Sequence, residues 1–148
     1  KASGVDITGP VYTLHPATAP KAMNIMNHYD LAILRDAVEK ANPELVIFDV
    51  MREMHNADED SSTEMKPVGD AIASLVSGRA CLILHHSKKT SGFEPKAIDV
   101  SRGSTYLTGK VDIVWLLHDG YLIVGKSRIG PGGKYRVRRA KSGLWEFD

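Results

Sequence analysis

Two short, uninterrupted apolar runs constrain this chain most. One is Leu-Val-Ile-Phe at 45–48, and the other is Ala-Cys-Leu-Ile-Leu at 80–84. Between them Met65, Val68, Ile72, Leu75 and Val76 recur at helical spacing, and Gly78 follows. An apolar run with no polar alternation is the pattern of a strand buried on both faces. A strand, a helix and a second strand in that order point to parallel pairing with helices packed on the sheet. The expected fold class is therefore α/β, with buried strands over 45–49 and 80–85.

The remaining pattern is consistent with that frame. Residues 1–29 are weakly patterned and broken by Pro10, Pro16 and Pro20. Asp30 reads as a helix N-cap, Leu31, Leu34, Val38 and Ala41 as the apolar face, and Asn42-Pro43 as the stop. Residues 51–62 and 87–101 read as polar loops. A third buried strand is expected over 111–117. Asp119-Gly120 marks a hairpin into 121–126. Gly130-Pro131-Gly132-Gly133 and Ser142-Gly143 mark two further turns, into 135–139 and 144–147. These C-terminal hairpins are expected to extend the sheet with antiparallel strands. Trp115 and Cys81, inside apolar strands, are assigned to the core, and Met51, Met54 and Met65 to packing.

Composition narrows the function classes. A chain of 148 residues with 43% hydrophobic and 25% charged residues suits one globular domain. Cys81 is the only cysteine, which excludes an internal disulfide and argues against a cysteine-based zinc site. No apolar run approaches membrane-spanning length, and the opening residues do not read as a signal peptide, so a cytoplasmic protein is expected. The net charge of +1 hides an asymmetry, since residues 44–70 carry −6 and residues 121–148 carry +5. Such poles suit head-to-tail association or a polyanion at the basic end, or simply two solvated faces.

Three polar clusters fall where chemistry is expected. Ligands of an open parallel sheet bind beyond the carboxyl ends of its strands. Asp49 ends the first apolar run, where a carboxylate can hold magnesium beside a nucleotide phosphate or merely cap the strand. His85 and His86 end the second run. Adjacent strand residues point to opposite sides, so one imidazole at most faces a given ligand. Lys88 and Lys89 follow and can touch a phosphate backbone. Lys126 and Arg128 project from one side of a strand and can meet one anion, or serve as an ordinary wet face, a reading that Arg136 and Arg138 fit well. No Gly-x-x-x-x-Gly-Lys-Ser/Thr and no Gly-x-Gly-x-x-Gly occurs.

In order, these segments are more specific than any one of them. They are residues 45–60, the helix with Met65-Lys66-Pro67-Val68, Leu-Ile-Leu-His-His-Ser-Lys-Lys (82–89), Arg-Gly-Ser-Thr-Tyr-Leu-Thr-Gly-Lys-Val-Asp (102–112) and Lys-Ser-Arg-Ile-Gly-Pro-Gly-Gly (126–133). From about residue 30 the series resembles the C-terminal half of the RecA-like ATPase core in RepA-like and DnaB-type hexameric helicases. The resemblance implies that Asp49 is the Walker B aspartate that positions Mg2+, and that His85 or His86 is the sensor coupling the γ-phosphate to DNA. It implies that Arg102, Gly103 and Ser104 open the next strand, and that Lys126 and Arg128 reach a neighbouring subunit's ATP, with Arg128 as the arginine finger. Loops 52–64 and 87–101 correspond to channel-facing segments, which makes Arg52, Lys88 and Lys89 candidate contacts to single-stranded DNA. The implied assembly is a homo-oligomer, a hexameric ring in DNA replication with ATP between subunits. Asp112 stands where some RepA-like helicases carry arginine, which favours Arg128 as the finger.

Two other readings compete with the motor. A non-hydrolysing module derived from a RecA-like domain would bind single-stranded DNA or a helicase partner with no effect of ATP. A metal-dependent hydrolase would use Asp49, Asp58 and His85 or His86.

Overall fold

The computed structural model describes residues 9–14, 23–86, 105–141, 143 and 145–147. The chain divides into two compact units. One comprises 12–86 and 102–110, the other 1–11, 87–101 and 111–148.

In the first unit α1 spans His28–Ala41, β1 Leu45–Phe48, a 3-10 turn Met51–Met54, α2 Ser62–Leu75, β2 Ala80–Ile83 and α3 Thr105–Lys110. The α1 cap is Asn27 and not Asp30. The Asn27 side chain accepts from the N–H groups of Tyr29 at 2.9 Å and Asp30 at 3.3 Å. Asp30 is buried one turn further on and accepts the Asn24 N–H at 3.0 Å, so its carboxylate fastens the chain that enters the helix. Asn42 closes the helix in the left-handed conformation (φ 42°), its N–H on the Val38 carbonyl.

β1 and β2 pair in parallel, with Leu45 opposite Ala80 and Phe48 opposite Ile83. Val46, Phe48 and Ile83 turn to a core of Ile25, Leu34, Met51, Met65, Val68, Ile72 and Leu75. Met51 and Met65 are buried there and Met54 packs against them, as expected. Burial on both faces does not hold. Leu45 and Ile47 alternate to the other side and stay 47% and 54% exposed, because among the described residues the core lies on the opposite face. Cys81 is likewise exposed, not core. The expected loop at 51–62 contains the 3-10 turn.

The second unit holds the predicted hairpins: β3 Ile113–His118, β4 Tyr121–Ser127, β5 Gly133–Arg139 and β6 Trp145–Phe147. They form a four-stranded antiparallel sheet of their own and, among the described residues, do not extend β1–β2. Asp119 and Gly120 both have positive φ (46° and 74°), the two-residue turn whose twist matches flanking strands. Leu116 is buried against Ile123, whereas Trp115 sits on the opposite face and is 55% exposed, which corrects its core assignment.

Candidate functional site

The carboxyl end of the parallel pair is built by two backbone hydrogen bonds beyond the strands. The Leu84 N–H donates to the Phe48 carbonyl at 2.9 Å, and the Met51 N–H donates to the Leu84 carbonyl at 3.1 Å. Asp49 and His85 therefore follow directly on the last bonded residues of two adjacent strands. Asp49 is exposed, His85 is half-buried and His86 is exposed. The structure thus brings Asp49 and the histidine pair to one rim, and burial distinguishes the two imidazoles.

His55 joins this rim, and sequence reasoning passed over it. It follows the 3-10 turn, is buried, and lies with its Nε2 3.9 Å from Glu59 Oε1. Burial holds its pKa below the ordinary value of 6.5. Glu59 opposes that shift, and Arg52 and His85 reinforce it. Burial thus disfavours the charged imidazole at this position. The one available signal was its place in Arg-Glu-Met-His-Asn, immediately after the Asp49 strand.

The acidic loop is organised by its own carboxylates. Ser61 caps α2 by accepting the Glu64 N–H at 3.3 Å, and Glu64 Oε2 accepts the Asp58 N–H at 2.8 Å. Asp58 Oδ1 accepts the Asp60 N–H at 3.0 Å. Arg52 donates to the Ala57 carbonyl at 3.2 Å and so spans the loop. Among the described residues no group of three or more His, Cys, Asp or Glu side chains could hold a metal ion. Among the described residues the metal-hydrolase reading therefore has no ligand set. A single exposed carboxylate suits Mg2+, which keeps most of its waters and takes phosphate oxygens besides.

α3 is clamped to α2 by Asp70. Its Oδ1 accepts from the Tyr106 hydroxyl at 2.7 Å and from Lys110 Nζ at 3.1 Å, and its Oδ2 accepts from Lys66 Nζ at 3.1 Å. These donors, Tyr106 first, hold the Asp70 carboxyl well below the usual carboxylate range. Gly69 provides the room, since a Cβ there would stand 2.9 Å from Tyr106 Cε1. Arg102, Gly103, Ser104, Lys88 and Lys89 lie outside the described residues.

Lys126 and Arg128 belong to the second unit. Lys126 Nζ donates to the Val111 carbonyl at 2.7 Å. Arg128 Nη1 meets Asp112 Oδ1 at 3.0 Å, and the Arg128 N–H donates to the Asp112 carbonyl at the same distance. Arg128 is half exposed, and the pair stands in solvent. Lys126 lies within β4 and Arg128 directly follows its end.

A family model described as an AAA domain matches residues 3–92, more than half of the chain. The chain belongs to that family. The match supports an ATPase with a RecA-like core, a class that uses nucleotide and magnesium. This AAA domain match begins well before residue 30, where the resemblance to helicases starts. It contains Asp49, His55, His85 and His86, while Arg102, Lys126 and Arg128 lie beyond its end. No curated protein matches the chain. Among the described residues no helix is long and apolar enough to cross a membrane.

Proposed function

We propose that this chain forms part of an ATP-dependent translocase or helicase core of the RepA-like or DnaB-type class, acting on single-stranded DNA as a ring. The observation that carries the reading is the placement of Asp49 and His85 at the carboxyl rim of adjacent parallel strands, within the AAA match.

Each residue's part follows from its chemistry. Asp49, exposed at the rim, would hold Mg2+ through its carboxylate or an intervening water. Bound ATP with Mg2+ supplies the labile γ-phosphoryl group and part of the charge neutralisation. His85, half-buried and close enough to His55 to perturb it, is better placed than exposed His86 to report on the occupant of the rim. Arg128 would stabilise charge developing on a γ-phosphate bound by the neighbouring subunit, with Lys126 as a point charge beside it. Contributions of about 10³–10⁵ in rate attend such a finger. A finger acting in trans requires a ring or filament with composite sites.

Arg128→Ala in the whole protein tests the reading. The expected result is loss of ATP turnover with nucleotide affinity largely retained. Unchanged turnover removes the finger, and DNA binding that ignores ATP and Mg2+ would favour the non-hydrolysing module.

A further inference from the structure

The antiparallel unit carries a row of cations that the finger assignment does not use. The register between β3 and β4 shifts by one residue. Val114 pairs with Lys126, but Trp115 pairs with Val124, so Gly125 is the extra residue of a bulge. Cross-strand partners point to the same side of a sheet, and residues along one strand alternate. Lys126 therefore shares a face with Val114 and Leu116, and Leu116 pairs with Ile123. Ile123 pairs with Lys134 and Tyr121 with Arg136, while Arg138 pairs with Glu146. The bulge thus brings Lys126 and Arg128 to the same face as Lys134, Arg136 and Arg138. With an unbroken register the two groups would lie on opposite faces.

This face is strongly basic. Among the described residues, Asp112 is bonded to Arg128 at 3.0 Å and Glu146 to Arg138 at 2.9 Å. Lys134 Nζ lies 4.2 Å from the centre of the Tyr121 ring. Arg136 and Arg138 are exposed. Alternate residues of an antiparallel strand stand about 6.8 Å apart, so Lys134, Arg136 and Arg138 form a straight, evenly spaced row of charges. That spacing is on the scale of the phosphate repeat in an extended polynucleotide. Two of the three are guanidinium groups, whose planar donors suit phosphate oxygens.

We infer that the β5 row of Lys134, Arg136 and Arg138 is a binding strip for the sugar–phosphate backbone of single-stranded nucleic acid. The inference rests on the single-stranded-DNA part of the proposed function and locates that contact on the sheet face that also carries Lys126 and Arg128. Such a strip is indifferent to base sequence, because it reads phosphates alone. It also places the polynucleotide on the face that carries the finger.

The test is anisotropy of a labelled oligothymidylate with the whole protein, without nucleotide, across about 50 to 200 mM salt. Each phosphate contact to a single strand contributes about −0.7 to the slope of log K against log salt. The triple variant Lys134→Gln/Arg136→Gln/Arg138→Gln should make the slope shallower by about 2 and weaken binding tenfold or more at the higher salt. A charge-retaining variant, Lys134→Arg/Arg136→Lys/Arg138→Lys, should keep the wild-type slope. Circular dichroism of both variants confirms folding. If the triple variant keeps the wild-type slope while Lys88→Gln/Lys89→Gln loses it, the strip is overturned and the DNA reading stands. If the wild type binds no oligonucleotide at any salt, both fall. If instead the wild type self-associates in a salt-sensitive way that the triple variant abolishes, with no oligonucleotide bound, the row serves the acidic segment of a second copy and the inference is overturned.

Discussion

Replacing Gly69 by alanine sets two known effects against each other. In a helix interior alanine is favoured over glycine by about 1 kcal/mol. Here the new Cβ would stand 2.9 Å from Tyr106 Cε1, closer than packed carbon atoms tolerate, and a tight 3.2 Å from Leu107 Cδ2. Overpacking of this kind costs about 1–3 kcal/mol. Gly69→Ala should therefore be neutral to destabilising by about 2 kcal/mol, despite its better helix propensity. Tyr106→Ala removes the ring. In that background Gly69→Ala should change sign and stabilise by up to about 1 kcal/mol. The assay is urea unfolding of the four proteins in a double-mutant cycle, read at constant slope. A coupling of about 1–3 kcal/mol is expected. If Gly69→Ala stabilises equally in both backgrounds, Tyr106 does not pack on α2, and the Asp70 clamp on α3 is refuted with it.

Two further outcomes follow from the site. His55 has a folded pKa below 6.5, so near and below that pH the unfolded chain binds more protons. Stability should fall as pH drops through 6.5, until His55 itself titrates in the fold, and His55→Gln should flatten that decline in a series of urea midpoints. An unchanged pH profile would contradict the burial of His55. Met51 is fully buried two residues beyond Asp49, so Met51→Ala should cost about 2–5 kcal/mol in the same assay, and a loss under 1 kcal/mol would place it outside the core.

How far the sequence was legible depends on the range of the interaction involved. The strand pair was readable because Leu-Val-Ile-Phe and Ala-Cys-Leu-Ile stand between turn signals with a helical pattern between them. The hairpins were readable because Asp119-Gly120 supplies two residues that accept positive φ. Side-chain alternation places Lys126 and Arg128 on one side of the strand. Burial was less legible. Apolar character alone does not say which face a helix covers, so Leu45, Ile47 and Trp115 read as core although the packing lies on the opposite side. Asp30 looked like the cap because caps are recognised by residue type, yet Asn27 was three residues nearer the true start. The bulge at Gly125 depends on pairing across strands, which no local window contains. His55 escaped notice because its setting, beside Glu59 and His85, is assembled from separate segments.

The central claim is that Asp49 of one subunit and Arg128 of its neighbour complete a single ATP site. Mixing two inactive proteins tests it most directly. Asp49→Asn lacks the metal-binding carboxylate and Arg128→Ala lacks the finger, so each alone should show no turnover. In an equimolar mixture of exchanging subunits, about a quarter of the interfaces would join an intact Asp49 to an intact Arg128. The account predicts that ATPase activity returns towards that fraction of wild type. A mixture as inactive as its components, with subunit exchange demonstrated, would contradict it.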